Sequence, residues 1–87
     1  MSKTAALSRF LDPVASLLTP EVARRIVDFR ADPTTQARLD ELAEKSTEGL
    51  LNPEERTEYE GYVRAIDLIT VLQLKARRML EKEEQVH

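Results

Sequence analysis

Residues Asn52 to Glu84, NPEERTEYEGYVRAIDLITVLQLKARRMLEKEE, constrain the fold of this chain more than any other stretch. Asn52 is a good N-cap and Pro53 suits the first helical position. Glu55 stands three residues after the cap, where its carboxylate can reach back and close a capping box. Glu54, Glu55 and Glu58 crowd the first turns while Lys75, Arg77 and Arg78 lie towards the other end, the polarity that the helix dipole favours. The stretch therefore reads as one helix from Pro53 to about Glu84.

At 100° per residue, Leu68, Met79, Leu72, Ala65, Ala76, Ile69, Tyr62, Leu80 and Ile66 fill one arc of roughly 160°. That is wider than the ~100° stripe needed against a single neighbour. Val71 falls outside it, among Arg64, Asp67, Lys75 and Arg78, and reads as scattered surface. Gln73 falls inside, either as a half-exposed residue at the arc's edge or as a buried amide that fixes register between helices. Length adds a second constraint. A helix of about 30 residues is ~45 Å long, against a diameter of roughly 30 Å for a compact chain of this size. The helix is expected to overhang its own globule and to call for a partner, either a second copy or another protein.

The four prolines each follow a capping-type residue, at Asp12-Pro13, Thr19-Pro20, Asp32-Pro33 and Asn52-Pro53. Leu7, Phe10, Leu11, Val14, Leu17 and Leu18 keep helical spacing through Pro13, which predicts a first helix over about 4–18, kinked or briefly broken there. A second helix, about 20–30, has Val22, Ala23, Ile26, Val27 and Phe29 as its buried side. A third, about 33–48, carries a narrow seam of Leu39, Leu42 and Ala43 extended by Ala37. Gly49 then offers a left-handed residue and Leu50 an apolar one to pack back onto the last turn. So short a link predicts an antiparallel hairpin of the third and fourth helices.

The expected fold is all-α: a helical hairpin with the N-terminal helices packed across the long C-terminal helix, in one domain over 1–87 and as a dimeric bundle. Leu39, Leu42, Leu50, Leu51, Tyr62, Ile66, Ile69 and Leu72 are the expected centre of the core. With 87 residues, a single core is only marginally adequate, and oligomerisation would relieve that.

Composition narrows function mostly by exclusion. The chain has no cysteine and one histidine, His87, at the last position where disorder is the default. The common nucleophile and metal constellations thus lack members, and no catalytic residue, cofactor or metal is expected. Ser8, Ser16 and Ser46 have no base in the pattern. Asp40, Glu44 and Glu48 form an i, i+4 stripe and Glu54 and Glu58 a pair, which read as solvated helix faces. Thirteen basic against sixteen acidic residues give a net charge of -3, a poor match for nucleic acid. Lys75, Arg77, Arg78 and Lys82 are interleaved with Glu81, Glu83 and Glu84 and read as dipole partners and solubilising groups. No signal-peptide h-region or membrane span is present, and a cytoplasmic setting is expected.

Glu48-Gly49-Leu50-Leu51-Asn52-Pro53-Glu54-Glu55-Arg56, with Glu58, Glu60, Tyr62-Val63-Arg64 and then Leu72-Gln73-Leu74-Lys75-Ala76-Arg77, resembles a group of small bacterial helical proteins. Their pattern runs E-G-x-L-[ST]-x-E-E-R-x-E-x-E-x-Y-V and then a leucine-rich helix ending L-Q-x-K-A-R. The likeness covers about residues 18–80 and departs at Asn52, where the group has Ser or Thr, a change that capping tolerates. Members are commonly encoded beside small His-Asn-His (HNH) nucleases, so the resemblance implies an antitoxin- or immunity-like role with such a nuclease as candidate partner.

The leading expectation is a non-catalytic protein-binding module that holds a cognate protein through its long helix. Val63, Asp67, Thr70, Leu74 and Arg78 lie within about 80° of one another, away from the main arc, and mix apolar and charged groups as a non-obligate interface does. They are the expected partner-binding residues. The alternatives are a homo-oligomeric structural or regulatory protein and, behind it, a DNA-binding repressor, for which no convincing basic recognition helix is found.

Overall fold

The computed structural model describes residues 2–86, with side chains described to Glu84. Four helices follow one another: α1 (Lys3–Ala15), α2 (Pro20–Asp28), α3 (Pro33–Glu48) and α4 (Pro53–Val86). No strand occurs among the described residues, so the chain is all-α with a long C-terminal helix. His87, expected to be disordered, lies outside the described residues.

Side chains close the start of every helix. The Ala5 amide donates to Ser2 Oγ at 3.0 Å, the Val22 amide to Thr19 Oγ1 at 3.2 Å and the Thr35 amide to Asp32 Oδ1 at 2.9 Å. At α4 the capping box is complete: the Glu55 amide donates to Asn52 Oδ1 at 2.8 Å and the Asn52 amide to Glu55 Oε1 at 3.1 Å. Pro20, Pro33 and Pro53 begin helices as expected, whereas Pro13 lies inside α1, which runs through it unbroken. α1 nevertheless ends at Ala15, earlier than its spacing suggests. Leu17 and Leu18 bond back to Val14 and Ala15, and the Ser16 hydroxyl takes the Pro13 carbonyl at 2.7 Å, tightening the chain into three-residue turns.

Two compact units divide the chain: Met1–Phe29 with Asp67–His87, and Arg30–Ile66. Each uses its own half of α4. In the Arg30–Ile66 unit, α3 and the first part of α4 form the expected antiparallel hairpin, with residues 38 and 45 facing 58 and 55. Gly49 makes the link. Its φ of +72° is left-handed, its amide donates to Ser46 O, and the Leu50 amide donates to Lys45 O at 2.8 Å. Leu42 is fully enclosed. Leu39, Leu51 and Tyr62 are half-buried, while Leu50 is 64% exposed and Ile66 is exposed too, against expectation. The backbone bonds of the turn hold Leu50 in place without any need for its side chain to pack back.

In the other unit, α1 and α2 attach to α4 from Asp67 onwards. Ala23 of α2 and Ala76 of α4 are both fully enclosed, and such small side chains allow helices to approach closely. Gln73 stands one turn before Ala76, and its Nε2 donates to the carbonyls of Ile26 and Phe29, both at 3.1 Å. It thus ties α4 to the end of α2 as a half-buried amide, at a turn where the Ile26 carbonyl also accepts the Phe29 amide at 3.1 Å. On another side of α4, Lys75 pairs with Asp12 of α1. Val71, one turn before Lys75 on that side, is only 6% exposed instead of lying at the surface. Two flanking helices, α1 and α2, bury a wider face of α4 than one neighbour would. The sequence pattern puts Phe29 on the buried side of α2, but the helix stops at Asp28 and Phe29 turns extended (φ −60°, ψ 136°), leaving its ring exposed. Val22, at the edge of that side, is exposed as well.

The Gly49 conformation gives a direct test. A Cβ added there meets no atom within 4 Å, so Gly49→Val strains only the backbone. A β-branched residue in the left-handed region is expected to lower stability by about 1 kcal/mol or more. Denaturant unfolding with an unchanged midpoint would contradict the turn.

Candidate functional site

α4 presents the residues chosen from the sequence on its solvent side. Within the unit built on Asp67–His87, Asp67, Thr70, Leu74 and Arg78 are all exposed, at a helical spacing that keeps them on one side. Leu74 is 46% exposed, while Leu72, Ala76 and Met79 on the other side are buried or half-buried. Val63 is also exposed but belongs to the Arg30–Ile66 unit. The structure thus groups four of the five residues and places the fifth with α3.

The basic cluster at the end of α4 is smaller in the structure than in the sequence. Lys75 is drawn away to Asp12 and its side chain is 10% exposed, so Arg77, Arg78 and Lys82 are the cations left outside. Among the described residues, no group of three or more His, Cys, Asp or Glu side chains is placed to hold a metal ion. No described helix is long and apolar enough to cross a membrane. A depression of about 330 Å³ lies by the hairpin turn. It is lined by Ser46, Gly49, Leu51, Arg56, Tyr59 and Glu60.

Glu58, which looks solvated in the sequence, and Glu55, the capping-box carboxylate, are drawn into an ion-pair clamp that holds the hairpin. Arg38 grips Glu58 with both prongs of its guanidinium: Nε donates to Oε2 and Nη2 to Oε1, each at 2.9 Å. This bidentate geometry is the stronger form of an ion pair. Arg38 Nη1 also lies 3.3 Å from Glu41 Oε1. One turn before Glu58, Glu55 uses Oε1 for the Asn52 cap and Oε2 for Lys45 Nζ at 2.6 Å. A single carboxylate therefore starts α4 and ties it to α3. The pattern E-E-R-x-E points to this doubling only once the hairpin register is known.

The charges are tuned accordingly. Lys45 holds the Glu55 carboxyl below its ordinary value, with the Asn52 amide adding to the effect. Arg38 does the same for Glu58, and Lys45 and Arg38 are themselves raised by these partners. Burial first, and then the hydrogen bond to Glu58, push the Tyr62 phenol up. The exposed stripe on α3 differs: Asp40 accepts a bond from Gln36 Nε2 at 2.9 Å, and Glu44 and Glu48 remain exposed.

No family model matches the chain, and no curated protein or solved structure matches it.

The depressed carboxyls predict acid sensitivity. The unfolded chain takes up protons near the ordinary value of 4.5, before the folded clamp does. Stability from Glu55 and Glu58 is thus fully present above pH 4.5 and is lost as pH falls through their lower folded values. Thermal unfolding followed by circular dichroism should show a midpoint that drops below that pH. Glu58→Gln should be less stable than the parent at pH 7 but should show a shallower acid-side fall. An equal fall in parent and variant would exclude the Arg38–Glu58 pair as its source.

Proposed function

We propose that the chain is a non-catalytic protein-binding module, antitoxin- or immunity-like, that occupies a cognate protein with the solvent side of α4. The observation that carries this reading is Leu74, a large apolar residue nearly half exposed and flanked by exposed Asp67, Thr70 and Arg78. An apolar anchor with a charged rim suits a partner that binds and leaves, because the rim steers the encounter and the anchor supplies affinity. The sequence resemblance supplies a candidate for that partner, an HNH nuclease. A homo-oligomeric structural role is the second reading, favoured by the strongly exposed Phe10 and Leu17 of the α1 segment.

The test is substitution on that face followed by partner capture. Leu74→Glu should leave helicity intact, since the side chain is already in contact with water, and should weaken binding of the cognate protein by tenfold or more. A nuclease encoded beside the gene, produced and titrated with the purified chain, is the first partner to measure. Binding undiminished by Leu74→Glu and Arg78→Glu would assign recognition to another face. A neighbouring nuclease neither bound nor restrained would remove the antitoxin-like reading.

A further inference from the structure

The depression of about 330 Å³ beside the hairpin turn is built wholly within the Arg30–Ile66 unit, and its lining brings three kinds of group together. Leu51 and Tyr59, both half-buried, give it an apolar and aromatic wall. Gly49 adds bare backbone, and a Cβ placed there would meet no atom within 4 Å, so that side stands open. Arg56 and Glu60 supply opposite charges and Ser46 a hydroxyl.

The charges carry the information. Arg56 and Glu60 stand four residues apart on α4, a spacing at which opposite charges are neighbours. Glu21 and Arg25 pair at that spacing on α2, as do Glu41 and Lys45 on α3. Arg56 and Glu60 do not, and among the described residues neither forms an ion pair or a side-chain hydrogen bond with any other group. The Ser46 hydroxyl is equally uncommitted, whereas that of Thr47 donates to the Ala43 carbonyl at 3.1 Å. A cation and an anion thus line one depression without satisfying each other. A plain carboxylate drawn to Arg56 would meet Glu60, and a plain ammonium drawn to Glu60 would meet Arg56. Only a ligand that carries both charges satisfies both side chains.

We propose that this depression binds a zwitterionic α-amino acid with a large apolar side chain. The ligand's carboxylate accepts from the Arg56 guanidinium and the Ser46 hydroxyl, its ammonium donates to the Glu60 carboxylate, and its side chain lies against Tyr59 and Leu51. Size agrees with this class. The depression is at the lower end of the range of roughly 300–1,000 Å³ that small-molecule sites occupy, which suits a single amino acid better than a larger metabolite. So small a ligand in an open site binds weakly, with a dissociation constant of about a millimolar. The site is separate from the α4 residues around Leu74 and does not depend on the partner-binding reading.

Titration of the full chain with L-phenylalanine, followed by the NMR shifts of its backbone amides, tests the proposal. Saturable shifts should centre on Ser46, Gly49, Leu51, Arg56, Tyr59 and Glu60. Three analogues each lack one feature: 3-phenylpropionate the ammonium, phenethylamine the carboxylate and glycine the side chain. Each should bind at least tenfold more weakly. Arg56→Gln and Glu60→Gln alter exposed side chains that have no partner in the fold, so both variants should keep the parent's helical circular dichroism signal and unfolding midpoint. Each should weaken L-phenylalanine binding tenfold or more. No saturable shift up to about 50 mM, well above the expected constant, would overturn the proposal, as would shifts centred away from the turn or binding indifferent to both substitutions. 3-Phenylpropionate bound as tightly as L-phenylalanine would overturn it in favour of a plain carboxylate site, and phenethylamine bound as tightly would do so in favour of a cation site.

Discussion

A 34-residue helix in water is not held by propensity alone; it needs neighbours on an apolar face. α4 supplies that face to every other element. Its first half is half of the hairpin with α3, and its second half is the wall on which α1 and α2 rest. The capping box at Asn52 and Glu55 fixes where it begins, and hence which residues of α3 come opposite which carboxylates.

The two halves are fastened by different chemistry. Along Pro53–Ile66 the buried apolar content is small, with Leu42 the one fully enclosed large side chain of that unit among the described residues, and charge-assisted bonds from Arg38 and Lys45 add the directional part. From Asp67 onwards, Ala23, Ala76, Leu11 and Val71 are buried, and the polar fastenings are the Gln73 amide on the end of α2 and the pair of Lys75 with Asp12 of α1. An amide carries no titratable proton, so the Gln73 contact with α2 is indifferent to the acid range that loosens the hairpin. In that second half Leu74, Asp67 and Arg78 remain exposed.

Much of this was legible in the residues. Cap-Pro pairs mark three helix starts, Gly49 marks the turn, and the spacing of α4 marks its buried arc apart from the exposed Ala65, Ile66 and Leu68, because these signals act within a few residues of chain. What escaped depended on a third body. Val71 looked like surface because a wheel drawn for one helix counts one neighbour, and α1 is a second. Apolarity alone points Leu50 and Ile66 to the core, yet the turn is secured by backbone bonds and the middle of α4 leaves several apolar groups in water. In α1, one continuous arc of leucines and Phe10 concealed a division into a buried and an exposed side. The α4 face was chosen as the side that the main arc does not use, and in the structure those residues are exposed, four in one unit and Val63 in the other.

The central claim is that each half of α4 answers to its own fastening. Native-state hydrogen exchange on Gln73→Leu tests it most directly, because the substitution removes the amide without changing charge. Protection should fall at the α2 amides and at the Asp67–Glu84 amides of α4, while the α3 amides and those of α4 before Ile66 keep their parent values. A loss spread evenly over α2, α3 and all of α4, or no loss at α2, would contradict the account.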